Sequence, residues 1–354
     1  MMCMKNLHNK IRVIMVPNNH EYVLELSDIL RKNGVEVYLL PPFHYSTLSN
    51  LLKIVVLKRK GYDIIHIQWA YVFPFFWFMK LSVRLFKKLK YKIIFTLHDI
   101  HEATIKSKIA KDRILWMYKN SDYRFIHYVA NLTLLEDIVG LKPDNIDVIY
   151  HPIFLAYKNT ISKKEARDTL SIPRNKKVLL SFGKIRRYKG TEVFADALEK
   201  LNEDFLGVVV GEPSHKDLVN LLKAKEQTLS NLVIIDKYIP DDEIQIYFNA
   251  CDVVVLPYLS ISTSGVALLA YSFHKPVITT NLGGMPEVVI DGKTGLLIPP
   301  NDADALVTAI TKIFNLDYQK MGENAYKLAK EKFAWDKVAD KTIRVYEKVL
   351  KNEF

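Results

Sequence analysis

Ser181-Phe182-Gly183-Lys184-Ile185-Arg186-Arg187-Tyr188-Lys189-Gly190 sets four cations within six residues, directly after an apolar β-rich run and a glycine. That pattern fits a diphosphate: glycine lets the ligand approach the backbone, and the cations neutralise it. A solvated basic loop has the same composition. A second stretch, Ser262-Thr263-Ser264-Gly265-Val266, follows the β-branched run Val253 to Leu256. Its hydroxyls suit helix N-caps, and a helix start at the carboxyl end of a parallel strand suits a phosphate. An ordinary strand–helix junction reads the same way. Asp302-Ala303-Asp304 opens an expected helix and reads as an N-cap rather than a metal site. No Cys/His spacing points to zinc.

Other polar residues stand where strands should end. They are Asn18 and Asn19, Gln68, His98 and His101, His127 and His151. Eight of the ten histidines fall in the first 155 residues. His66 lies inside its apolar run and reads as a core group supporting the site.

The elements that must position these residues alternate twice. Runs at Ile11–Val16, Val35–Leu40, Tyr62–Ile67, Lys92–Thr96, Tyr123–Ile126 and Ile146–Ile149 are separated by helical patterns. After a charged, proline-bearing stretch, a second series occupies Lys177–Phe182, Leu206–Val210, Val233–Ile235, Asp252–Leu256, Val277–Thr280 and Gly295–Ile298. Such alternation predicts α/β architecture, with two doubly wound parallel sheets whose ligands bind beyond the strand carboxyl ends. No Gly-x-Gly-x-x-Gly follows any strand, so a nicotinamide enzyme is not expected. Domains are expected at 1–155, with 335–354 added as a returning helix, and at 156–334.

Composition narrows the class. The chain has 354 residues, 49% hydrophobic, enough for two cores, and two cysteines far apart, which points to a reducing compartment. No secretory leader and no apolar run of membrane-spanning length is read, so a cytoplasmic or peripheral protein is expected. The net charge of +11 is lopsided. Residues 1–155 hold 22 Lys and Arg against 13 Asp and Glu, a net of +9. An anionic partner of the first half follows: a membrane surface or a phosphorylated substrate ahead of nucleic acid, for which no motif is present. The pattern around Pro74–Lys90 predicts an amphipathic helix, with Lys80, Arg84, Lys87 and Lys88 opposite Phe78, Leu81, Leu85, Phe86 and Leu89.

Several blocks resemble the retaining group 1 glycosyltransferases of GT-B fold. Lys275-Pro276-Val277-Ile278, Gly283-Gly284-Met285-Pro286-Glu287-Val288-Val289 and Asp291-Gly292-Lys293-Thr294-Gly295 are similar to that family's donor-site signature. Gly183 to Gly190 resembles its Gly-Arg-Leu-x-x-x-Lys-Gly, and Asp63 to Trp69 its Asp-Val-Val-His-x-Gln-Trp strand. Phe333-Ala334-Trp335-Asp336-Lys337-Val338-Ala339 is similar to the motif that precedes the family's returning helix.

The resemblance implies two Rossmann-like domains facing a cleft, the first binding an acceptor and the second a nucleotide diphosphate sugar. The expected activity is transfer of that sugar to a glycan or lipid-linked acceptor, with retention, without metal or other cofactor, for cell-surface polysaccharide. It implies His98, Lys184 and Lys189 as catalytic groups. Gly183, Arg186, Tyr238, Ile239, Ser262, Thr263, Ser264, Gly265 and Val266 are the implied donor contacts, and Asn18, Asn19 and His101 the acceptor contacts. The family's Glu-x7-Glu positions are here Ile261 and Leu269. Neither side chain accepts a hydrogen bond. A sugar-nucleotide epimerase or hydrolase, or an inactive glycan-binding partner, is the alternative.

Overall fold

The computed structural model describes residues 11–41, 47–68, 76–98, 100, 106–140, 142–153, 157–262 and 264–353. The chain divides into two compact units. The first comprises Met1–His151 and Trp335–Phe354, and the second Pro152–Ala334.

In the first unit, six parallel strands form one sheet: β1 (Arg12–Val16), β2 (Glu36–Leu39), β3 (Ile64–Ile67), β4 (Lys92–Thr96), β5 (Tyr123–Ile126) and β6 (Ile146–Val148). Their order is β2-β1-β3-β4-β5-β6. Successive strands step one way from β1 to β2 and the other way from β3 onward. The switch point lies between β1 and β3, where ligands bind in sheets of this kind. Residues of β3, β4 and β5 are buried almost throughout because helices cover both faces, which is why these strands read as apolar runs rather than alternations.

The helix Trp335–Lys351 closes this unit. Val338, Ala339, Thr342, Val345, Tyr346 and Val349 form its buried stripe, at the three- and four-residue spacing of one helix face. Its partner in the layer is the helix Glu21–Lys32.

The helix Phe76–Lys88 departs from expectation in one respect. Its buried stripe is Phe78, Met79, Ser82, Val83 and Phe86, whereas Leu81 and Trp77 are 54% and 63% exposed. The 3.6-residue period explains it: residues 78, 82 and 86 with 79 and 83 already fill an arc wide enough to face the sheet. Leu81 falls outside that arc, on the same side as Trp77, Arg84 and Lys88. The expected residues 74 and 75 lie outside the described part.

The second unit repeats the architecture with β7 (Lys177–Phe182), β8 (Phe205–Val210), β9 (Leu232–Ile235), β10 (Val253–Leu256), β11 (Val277–Thr280) and β12 (Gly295–Ile298). The order β12-β11-β10-β7-β8-β9 places this switch point between β7 and β10. The two chemistry-bearing loops of the sequence, after β7 and after β10, are therefore neighbours. Asp302 caps the helix Ala303–Asn315, accepting from Ala305 N at 2.8 Å, and Asp304 pairs with Lys200 at 2.6 Å. Asp-x-Asp is thus a cap and a surface ion pair.

Candidate functional site

Beyond β7 the chain turns through Arg187–Lys189, a single 3₁₀ turn, into the helix Thr191–Glu199. The turn ends on Gly190 at φ 66°. A Cβ there would stand 1.9 Å from the Pro257 carbonyl oxygen, so no other residue permits this approach of the two loops. The contact is reinforced by Leu259 N donating to Tyr188 O at 2.8 Å and by stacking of Tyr188 on Tyr258, centroids 6.4 Å apart.

This turn folds Lys189 back over the strand end. Its Nζ donates to Phe182 O at 3.1 Å and would lie 2.6 Å from a Cβ on Gly183. Val266 Cγ2 stands 3.6 Å from the same point. The structure thus gathers Gly183, Lys189 and Val266, residues more than seventy positions apart. Burial, and then the neighbouring charge of Arg186, bring the ammonium down to about 8. Among the described residues no carboxylate faces it.

The second loop is held from the other side. Ser264, buried, caps the helix Gly265–Ser272 by accepting from Ala267 N, and its Oγ is 2.7 Å from Tyr258 Oη. Gly283, at φ 51°, would place a Cβ 2.2 Å from Ile261 O, and Gly284 N donates to Ser262 O at 2.9 Å. The Gly-Gly turn therefore buttresses the loop. Gly265 and Val266, half-buried, open the helix there. Leu269 is buried in the helix and Ile261 is half-buried.

Of the other candidates in this unit, Arg186 lies near enough for its charge to act on Lys189. Lys184 is exposed and paired with Glu212 at 3.0 Å, and Arg186 Nε reaches Ser214 Oγ at 3.4 Å. After β9, Tyr238 is 66% exposed while Ile239 is buried. Thr263 lies outside the described residues.

In the first unit, Asn18 and Asn19 follow β1 at the switch point, Asn19 exposed. His98, two residues past β4, is engaged at both ring nitrogens: Nε2 with Gln68 Oε1 at 3.0 Å and Nδ1 with His127 Nε2 at 2.8 Å. His127 Nδ1 in turn meets the Ile149 carbonyl at 2.8 Å. Behind Gln68, fully buried His66 contacts Thr96 Oγ1 at 2.8 Å and Tyr346 Oη at 2.7 Å. Tyr22 packs edge-on against His98 and His127, centroids 5.4 and 5.9 Å away. Burial holds His66 and His127 at about 3, and lowers His98 well below the ordinary value with help from His127 and His151. His101 lies outside the described residues. Gln68 and His127 were visible as strand-end residues, but their joint engagement of His98 was not. The sheet order supplies it, because β3, β4 and β5 are consecutive neighbours.

The two-sheet architecture is shared with solved structures. The Anabaena protein Alr3699/HepE in complex with UDP superposes with a TM-score of 0.76 at 18% sequence identity, covering 96% of this chain and 100% of that one. The fold is GT-B. Residues 162–328, within the second unit, match the family described as glycosyl transferases group 1. A D-inositol 3-phosphate glycosyltransferase of Corynebacterium urealyticum is 31% identical over 194 residues, 52% of this chain; the chain spans 46% of that relative's length. An uncharacterized 41.2 kDa protein in the cps region of Klebsiella pneumoniae is 23% identical over 310 residues, 85% of this chain and 84% of its own.

Proposed function

We propose that the protein moves a sugar from a nucleotide diphosphate sugar to a glycan or lipid-linked acceptor, with retention, in cell-surface polysaccharide synthesis. The observation that carries this reading is Lys189: a desolvated ammonium with no carboxylate partner among the described residues, set over a strand-end glycine beside the Gly265–Val266 helix start. A group so placed is suited to a diphosphate whose charge grows as the sugar departs. The UDP complex of the Anabaena relative and the cps-region neighbour support a uridine nucleotide and a polysaccharide product. Gly183, Arg186, Tyr238, Ile239, Ser262, Thr263, Ser264, Gly265 and Val266 are the proposed donor contacts. Lys184 assists at longer range, its charge being shared with Glu212. In the first unit, His98 with Asn18, Asn19 and His101 meets the sugar and the acceptor. Lys189 takes the part of a metal, so calorimetry should show UDP binding that EDTA leaves unchanged and Lys189→Ala weakens. UDP binding that requires magnesium or manganese would contradict it.

We further place the acceptor at an anionic membrane surface. Among the described residues no helix is long and apolar enough to cross a bilayer. Instead, Trp77 and Leu81 are exposed on the same side of one helix as Arg84 and Lys88, with Lys80 and Lys87 beside them. An apolar pair rimmed by cations suits the headgroup boundary. The protein should sediment with anionic vesicles and not with neutral ones, less so as salt rises, at about 1 kcal/mol per engaged cation. Trp77→Ser with Leu81→Ser should release it. Unaltered sedimentation of that variant would place the contact elsewhere.

A further inference from the structure

His98 sits in a line of hydrogen bonds with a fixed acceptor at one end. Because the Ile149 carbonyl can only accept, His127 must carry its proton on Nδ1. A neutral His127 then offers a lone pair at Nε2, so His98 must donate to it from Nδ1 across 2.8 Å. That leaves a lone pair at Nε2 of a neutral His98. The neighbour there is the Gln68 amide, whose oxygen lies 3.0 Å from His98 Nε2 and whose nitrogen lies 3.2 Å from His66 Nε2.

With the amide this way round, His98 Nε2 must carry a proton as well. Were both rings neutral, two lone pairs would face each other at 2.8 Å between His98 and His127. The arrangement is therefore complete only when the two rings share one extra proton. Turning the amide by half a turn removes that need. Its nitrogen then donates to His98 Nε2 and its oxygen accepts from His66, whose Nδ1 takes the Tyr346 hydroxyl proton. Every donor in the line then points from Tyr346 toward the Ile149 carbonyl.

We propose that His127 and Gln68 are positioning residues that set the hydrogen-bonding sense of His98: an acceptor at Nε2 when the relay is neutral, a donor when it holds one extra proton, the Gln68 amide turning to match. Among the described residues, the other titratable groups around His98 are His66 from β3, His151 beyond β6, and His20 and Tyr22 at the first helix. None is anionic near neutral pH, and burial opposes a charge. At pH 7 the relay is thus neutral and His98 accepts. A substrate hydroxyl can exchange with the Gln68 N–H at that lone pair, a consequence that rests on the reading of His98 as the sugar-facing group.

Imidazole nitrogen spectra of the 15N-labelled full chain test this without any substrate. At pH 7 His98 should show a protonated Nδ1 and a bare Nε2. His127→Gln, whose carbonyl can still accept from Nδ1, should keep that tautomer, whereas His127→Phe should lose it. Gln68→Glu removes the amide donor and sets an acid against Nε2, so His98 should gain its second proton at a pH at least one unit higher than in the wild type. A bare Nδ1 in the wild type, or a His127→Phe spectrum with His98 unchanged, overturns the proposal. If His127→Phe does not fold, the wild-type and Gln68→Glu spectra decide alone. UDP titration of the same samples reads the second unit, so failure of the nucleotide reading registers separately.

Discussion

Lys189→Ala should reduce turnover about 10²-fold, the usual loss when one preorganised charge is withdrawn from a developing anion. The size follows from the setting. The side chain is pinned by Phe182 O and roofed by the loop that Gly190 allows against Pro257, so little reorganisation is needed when a diphosphate arrives. Lys184→Ala should cost much less, since its exposed ammonium is shared with Glu212 and screened by water. The pH dependence has a definite sign. With the free ammonium at about 8, deprotonation above that pH removes the charge the anion needs. Affinity for UDP should therefore fall as pH rises past about 8, by up to about tenfold per unit, and Lys189→Ala should flatten that limb. Equal losses for the two lysines, or affinity unchanged to pH 10, would refute the assignment.

The second large effect is acid lability of the first unit. His66 and His127 are buried and held neutral at about 3, and His98 is lowered well below 6.5. In the unfolded chain these rings protonate near pH 6.5, so acid favours unfolding. Their contribution is intact above the unfolded value and is lost as pH falls from about 6.5 toward about 3. Each ring adds a slope of about 1.4 kcal/mol per pH unit, on the order of 4 for three, against a total stability of roughly 5–15 kcal/mol. Denaturant titrations at pH 7, 6 and 5 should show a steep decline, with unfolding near about pH 4–5 in buffer. His66→Phe should weaken the protein at pH 7, by orphaning Tyr346 Oη and Thr96 Oγ1, yet make the decline shallower by roughly a third. Equal stability at pH 7 and pH 5 would contradict the neutral cluster.

The sequence and the structure meet most closely where local chemistry decides. Ser264 and Asp302 could be read as caps because the capping hydroxyl or carboxylate lies three residues before the N–H it satisfies. The buried stripe of Trp335–Lys351 could be read from its period. Lys189 was legible as a cation near a glycine, but its selection over Lys184 was not. That depends on Gly190 meeting Pro257, a contact between loops almost seventy residues apart. The His98 relay was hidden for the same reason: a histidine after a strand says nothing of its neighbours until strand order is known. Leu81 was misplaced because periodicity reports that a face exists, not how wide an arc the sheet covers.

The central claim is sugar transfer from a nucleotide diphosphate donor, and product mass measures it most directly. The full-length protein, pooled nucleotide sugars and lipid-linked glycan acceptors are incubated in EDTA and followed by mass spectrometry. The expected result is an acceptor heavier by one sugar residue, with one nucleoside diphosphate released per product, and loss of both in Lys189→Ala. Donor consumption that proceeds equally without acceptor, or product formed at the wild-type rate by Lys189→Ala, would contradict the account.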